Sequence, residues 1–221
     1  MNLAIFDLDH TLIASDSDNE WPKYLMHKGI VDKAFVEKKN DYFYQQYLQG
    51  RLNVDEFLEF QLEPLTHYSM EQLAVMHEEF MCEFIRPTIT EVARELVAKH
   101  QRAGDDLLLI SATNEFIITP IANEFGITEV IGVTLEIGVD GRYTGNYIGV
   151  PSYQGGKIVR LEQWLQEKGK TRSDYDDIYF YSDSRNDLPL LQDVSRPVAV
   201  NPDDILLAHA TEHGWEIVHT H

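Results

Sequence analysis

Two aspartates one residue apart, Asp7 and Asp9, sit in the stretch Ile5-Phe6-Asp7-Leu8-Asp9-His10-Thr11-Leu12, directly after an apolar run that begins at Leu3. A short continuous apolar run reads as a buried strand, so these carboxylates leave its C-terminal end. Residues i and i+2 of an extended chain face the same side, and the pair would crowd unless the chain turns there. Crowded carboxylates repel each other and invite a hard cation such as Mg²⁺. A second acidic pair, Asp183 and Asp187, follows the apolar run Ile178 to Tyr181, near enough to share a metal. Ser111 ends the run Leu107 to Ile110, and Lys157 opens a helix after Gly155-Gly156. A lysine in a first turn opposes the helix dipole and calls for an anionic partner. Singly, each group has a plain structural explanation as a turn residue, helix cap or solvated charge. Their joint placement at successive element ends is much harder to obtain from structural need.

The elements that must position these groups follow two patterns. From about Glu20 to Arg86 apolar residues recur at helical spacing, which predicts four helices punctuated by Gly29, Gly50 and Pro64, the first capped by Asp18 or Asn19. Beyond Pro87 strands alternate with helices, the signature of a parallel sheet with crossover helices. Helices are expected from Ile89 to Ala103, Glu115 to Phe125 and Gly156 to Lys168, with a hairpin turning at Asp140-Gly141. The expected fold is α/β, a Rossmann-like open parallel sheet flanked by helices, with residues 1–14 and 87–221 as the core and an inserted all-helical cap domain over 15–86. Such sheets bind ligands beyond the carboxyl ends of their strands, which places Asp7, Ser111 and Asp183 on one rim facing the inserted helices.

Composition narrows the partners. A formal net charge of −19 over 221 residues would be repelled by nucleic acid and by an anionic membrane, whereas a cationic or zwitterionic small molecule is compatible with it. The single cysteine, Cys82, rules out an internal disulfide, fits a reducing compartment and is expected to pack within a helix. No run approaches the ~20 apolar residues that span a bilayer, and no signal-peptide pattern is visible. The expectation is a cytoplasmic protein, a monomer or weak homodimer, with no nucleic-acid or membrane partner. His219 and His221 are expected to form a frayed tail.

With Asp7-Leu8-Asp9-His10-Thr11, Ser111-Ala112-Thr113, Lys157 and Asp183 to Asp187 in that order, the chain resembles the haloacid dehalogenase superfamily of aspartate-nucleophile phosphatases. The helical segment after the first motif is similar to the cap of its phosphoserine-phosphatase-like branch. Asp16-Ser17-Asp18, Gly50-Arg51-Leu52, Gln154-Gly155-Gly156-Lys157 and Tyr181-Ser182-Asp183-Ser184 look like those of the bacterial histidinol-phosphate phosphatases of that branch. The resemblance implies a small phosphorylated metabolite as substrate, Mg²⁺ as cofactor and an aspartyl-phosphate intermediate. Asp7 would be the nucleophile and Asp9 the general acid and base. The Asp7 carboxylate, the Asp9 carbonyl and Asp183 would hold the metal, with Asp187 steadying its water shell. Ser111, the Ala112 amide and Lys157 would bind phosphoryl oxygens, with a weaker contact from Asn186.

For the leaving group, the branch implies that Asp16 receives an amine and that Arg51 lies near a carboxylate-binding position. Histidinol phosphate has no carboxylate, so Arg51 would need another role, such as a salt bridge in the cap. An acidic, aromatic-rich cap (Trp21, Tyr42, Phe43, Tyr47) suits a cationic ring, although the same aromatics could simply form the cap core. Phosphoserine or another small phosphorylated metabolite is the alternative substrate. A phospho-accepting receiver module is the non-enzymatic alternative. It has no use for an acid/base at Asp9 or for a long helical insertion.

Overall fold

The computed structural model describes residues 1–221. Seven strands, β1 (Leu3–Phe6), β2 (Asp106–Asn114), β3 (Val130–Ile137), β4 (Tyr143–Ile148), β5 (Ile178–Ser182), β6 (Arg196–Val200) and β7 (Glu216–Val218), form one sheet in the order β4-β3-β2-β1-β5-β6-β7. Neighbouring strands are parallel except β3 and β4, which pair antiparallel across the expected Asp140-Gly141 turn. β1 is buried throughout because it is central and covered on both faces. Its alternation separates two hydrophobic clusters: Ala4 and Phe6 pack with one, Leu3 and Ile5 with the other.

Between β1 and α5 (Glu91–Ala103) the chain is helical: α1 (Ser17–His27), α2 (Lys33–Leu48), α3 (Val54–Leu62) and α4 (Met70–Phe80). Trp21, Tyr24, Leu58 and Phe80 of this insertion share a cluster with Phe6 and Tyr181, so one hydrophobic core runs from the sheet into the helices. No helix is long and apolar enough to cross a membrane. The remaining helices are α6 (Glu115–Glu124), α7 (Gly156–Glu167), α8 (Leu188–Leu191) and α9 (Asp204–His213).

Four details differ from the sequence expectations. The N-cap of α1 is Asp16, not Asp18 or Asn19: Asp16 is extended, and its carboxylate accepts the Asn19 amide at 2.9 Å. α5 starts at Glu91, two residues late, because Thr90 accepts the Ala93 amide and Pro87 sits in a short 3₁₀ turn before it. Cys82 is exposed rather than packed. It lies in a π-helical turn, where its Sγ meets Arg86 Nη1 at 2.8 Å. The C-terminal tail is not frayed. Thr220 is 2% exposed, its hydroxyl donates to the Thr11 carbonyl at 2.8 Å, and its carbonyl accepts Thr90 Oγ1 at 2.6 Å. Asn201 Nδ2 donates to the His10 carbonyl at 2.9 Å and Asn201 Oδ1 accepts the Thr220 amide at 3.0 Å. The tail thus satisfies main-chain groups of the loop after β1 that no strand pairs.

Candidate active site

The Asp7 amide still belongs to the sheet, donating to the Tyr181 carbonyl at 2.9 Å. Leu8 then buries its side chain completely, its carbonyl accepts the Leu12 amide at 2.8 Å, and His10 takes a left-handed φ of 55°. This turn parts the two carboxylates. Asp7 Oδ1 accepts Lys157 Nζ at 2.7 Å. Asp9 instead faces α1: its Oδ1 accepts the Ser17 amide at 2.6 Å and its Oδ2 the Thr113 hydroxyl at 3.1 Å.

Lys157 lies in the first turn of α7 and is only 2% exposed. A Cβ on Gly156 would fall 2.0 Å from the Pro151 carbonyl oxygen, so the close approach of α7 to that segment needs glycine there. The anionic partners expected for this lysine are two carboxylates, Asp7 and Asp187, each at 2.7 Å. Asp187 Oδ2 also accepts the Ser182 hydroxyl at 2.7 Å. Asp183 lines the same cleft and receives one long hydrogen bond, from Thr11 Oγ1 at 3.4 Å. Ser111 and Ala112 line it from within the C-terminal half of β2, which continues to Asn114, with Ser111 anchored by Ser152 Oγ on its carbonyl at 2.6 Å.

The groups proposed for the leaving-group side divide. Asp16 lines the cleft while capping α1. Arg51 does not reach the cleft: the chain reverses at Gly50 (φ 65°), Leu52 is the next residue on the lining, and Arg51 is exposed and bonded to Gln49, with no carboxylate partner. Asn186 is also off the cleft lining. It ties the end of α2 to the core, donating to the Tyr47 carbonyl at 3.2 Å, beside Arg185 Nη2 on the Gln49 carbonyl at 2.8 Å. Of the aromatics, Phe43 and Tyr47 line the cleft, Tyr42 is exposed, and Trp21 is buried in the cap core against Tyr24 and Phe80.

Thr113 and Asp18 stand in the sequence motifs without a site role assigned to them, and Asn40, Tyr44 and Tyr153 carry no such expectation, yet all five line the cleft. Thr113 was within reach, since it stands two residues after Ser111 on the same strand. The others depend on how the cap helices pack on the core, which no local spacing encodes.

Burial dominates the electrostatics. It pushes the Asp7 carboxyl up to about 7 against the pull of Lys157, with Asp187 and Asp9 adding to the rise. Burial and then the Asp16 charge raise Asp9 to about 6, opposed by the Ser17 amide. Asp183 is driven well above the ordinary carboxylate range by burial, then by Asp7 and Asp187. Desolvation works against the charge on Lys157, yet Asp187 and Asp7 carry its net shift upward.

The donors fit a hard divalent cation. No three His, Cys, Asp or Glu side chains converge on one point, so a metal here would need main-chain oxygen as well as side chains. Asp7 and Asp183 face one cleft, and Asp183 has no cationic partner. The one buried lysine is already shared by Asp7 and Asp187, so negative charge remains uncompensated, as expected for an all-oxygen metal seat.

Residues 4–192 match the family model of the haloacid dehalogenase-like hydrolases. The chain is 59% identical over 217 residues to a protein of Neisseria meningitidis serogroup C (strain 8013) named histidinol-phosphatase, with 98% of each chain covered. A crystal structure of a Bordetella pertussis Tohama I protein of unknown function superposes with a TM-score of 0.93 at 44% identity, covering 98% of this chain and 97% of that one. A phosphoserine phosphatase solved as a phospho-aspartyl intermediate analogue shares the fold, with a TM-score of 0.68 at 20% identity over 100% of this chain and 93% of its own. The full-length match and the rim of acids around one buried lysine agree: the chain belongs to the haloacid dehalogenase-like hydrolases and is a phosphatase.

Proposed function

We propose that this phosphatase hydrolyses histidinol phosphate with Mg²⁺ through an aspartyl-phosphate on Asp7. One observation carries the substrate choice. Five aspartates and the aromatic residues Phe43, Tyr44, Tyr47, Phe57 and Tyr153 line the cleft, and no lysine or arginine does. Such a lining favours a leaving group with cationic nitrogens and an aromatic ring, and offers a carboxylate no lysine or arginine. The name of the 59% identical Neisseria relative supports the same reading.

In the first half-reaction an Asp7 oxygen bonds to phosphorus as the bond to the leaving oxygen breaks, and Asp9 gives its proton to the departing alkoxide. Its carboxyl, raised to about 6, suits a group that must be protonated first and ionised afterwards. Asp9 then takes a proton from water, whose oxygen attacks phosphorus and frees Asp7 together with inorganic phosphate. Ser111, the Ala112 amide and Lys157 bind the phosphoryl oxygens. The Asp7 and Asp183 carboxylates and the Asp9 carbonyl would hold Mg²⁺. When bound, the ion supplies positive charge to the non-bridging oxygens.

Initial rates decide the substrate: histidinol phosphate is expected to be preferred over phosphoserine by at least ten-fold in kcat/KM, and the reverse order would overturn the proposal. The metal seat has its own test. A carboxyl raised above its unfolded value stays protonated in the folded protein up to about pH 7 for Asp7, so a cation must displace that proton. The rise in Tm on adding saturating Mg²⁺ is therefore expected to be larger at pH 8 than at pH 5.5. At 100 times its Kd the ion adds about 2.7 kcal/mol, a shift of roughly 5–10 °C for a chain of this size. An equal rise at both pH values would remove the carboxylates as the seat.

A further inference from the structure

α2 supplies Phe43, Tyr44 and Tyr47 to the cleft, yet packing holds this helix only weakly. Of its 16 residues only Val36, Asn40 and Phe43 are buried. Tyr44 and Tyr47 also line an adjoining cavity of about 300 Å³, so open space borders them outside the cleft as well. The end of the helix needs help too. α2 has no basic residue in its last turn, and the carbonyls that close a helix have no partners within it.

The core loop supplies what α2 lacks. Arg185 Nη2 donates to the Gln49 carbonyl at 2.8 Å, and Asn186 Nδ2 donates to the Tyr47 carbonyl at 3.2 Å. Asp183 and Asp187 stand two residues to either side of Arg185 in a chain of net charge −19, yet the single side-chain hydrogen bond of this arginine goes to the helix end. A cation there complements the negative end of the helix dipole. The arginine is presented from a firm base: its amide donates to Asp203 Oδ2 at 2.8 Å, and the Asp203 amide donates to the Asp183 carbonyl at 2.9 Å. The approach is close, since a Cβ on Gly50 would fall 2.7 Å from Arg185 Nη2.

We infer that Arg185 is a positioning residue for the leaving group: from the core it holds the C-terminal end of α2, and so keeps Phe43, Tyr44 and Tyr47 where an aromatic leaving group meets them. This rests on the histidinol phosphate reading above. Arg185 does not line the cleft, so it acts through the helix and not on the substrate.

The test compares kcat/KM for histidinol phosphate with kcat/KM for acetyl phosphate, which carries no ring. In Arg185→Ala the ratio of the two is expected to fall roughly 3–10-fold, the worth of an aromatic contact. Arg185→Lys keeps the cation and one donor for the Gln49 carbonyl, and is expected to recover most of the ratio. In Gly50→Ala the added methyl displaces the guanidinium, and the ratio falls in the same direction. A loss shared equally by both substrates in Arg185→Ala overturns the inference, as does a ratio that Arg185→Lys leaves as low as Arg185→Ala does. Should Arg185→Ala fail to fold, an unchanged ratio in Gly50→Ala overturns it as well. A wild-type enzyme that prefers phosphoserine would instead sink the substrate reading. The tether then still has its own readout in hydrogen exchange at the amides of Tyr47, Leu48 and Gln49, expected to quicken about ten-fold in Arg185→Ala, and unchanged exchange would overturn it.

Discussion

Asp7→Asn is expected to reduce turnover of histidinol phosphate by on the order of 10⁴-fold while leaving Tm in the absence of metal unchanged or higher. The amide cannot form the phosphoryl-enzyme, so no alternative route through this side chain exists. Stability behaves differently because Asp7 is a burden to the folded chain. Burial and the charges of Asp187 and Asp9 push its carboxyl up to about 7, and only Lys157 pulls it down. A neutral amide of nearly the same shape removes that repulsion, and Lys157 keeps its 2.7 Å partner in Asp187. The main-chain bond from residue 7 to the Tyr181 carbonyl does not depend on the side chain. Steady-state kinetics paired with calorimetry checks both halves. Turnover within 100-fold of wild type would remove Asp7 as nucleophile, and a large loss of Tm would show that the carboxylate holds the fold together.

Lys157→Met carries the opposite balance and the largest expected stability effect. The methionine matches the aliphatic stem, but Asp7 and Asp187 lose the one cation between them in a site where Lys157 is 2% exposed. Removing one partner of a buried ion pair costs about 3–5 kcal/mol, or roughly 6–20 °C in Tm for a chain of this length. The loss should shrink at pH 5.5, because the stranded Asp7 then protonates and its repulsion disappears. Phosphatase activity should fall with it, since Lys157 also meets the phosphoryl oxygens in the proposed reaction. Thermal unfolding of the variant at pH 8 and pH 5.5 is the measurement; a Tm equal to wild type at pH 8 would show that the two carboxylates need no cation.

The two variants show why an active site of this type is costly to keep. Asp7 and Asp187 share one lysine while the Asp9 and Asp183 charges act on the same group, and the scaffold must hold the four acids there against their repulsion. Much of the restraint comes from main-chain bonds remote from the chemistry. The C-terminal Thr220 and Asn201 grip the carbonyls of Thr11 and His10, and the Asp203 amide grips the carbonyl of Asp183 at 2.9 Å. The loops bearing the acids are thus tied to β6, β7 and the tail, whose sequence shows no sign of the site.

The sequence by itself determined the parts set by local pattern. The apolar runs Leu3 to Phe6 and Ile178 to Tyr181 are strands because a run with no polar residue suits a strand covered on both faces, and each delivers its acid to the sheet rim. Helical spacing punctuated by Gly29, Gly50 and Pro64 marked the four inserted helices, and the ordered motifs identified the family. Only the tertiary structure decided which groups meet. Lys157 of α7 pairs with Asp7 from 150 residues away and Thr113 of β2 donates to Asp9 from 104, contacts that arise only when a helix and separate strands pack together. The same holds for the leaving-group side. Arg51 lies off the cleft beyond the Gly50 reversal, Asp16 lines it while capping α1, and Asp18 and Asn40 join the lining, because docking α1 and α2 over the sheet sets which side of each helix meets the cleft. Spacing along the chain fixes where an element ends, whereas burial and packing between elements fix what its end groups face.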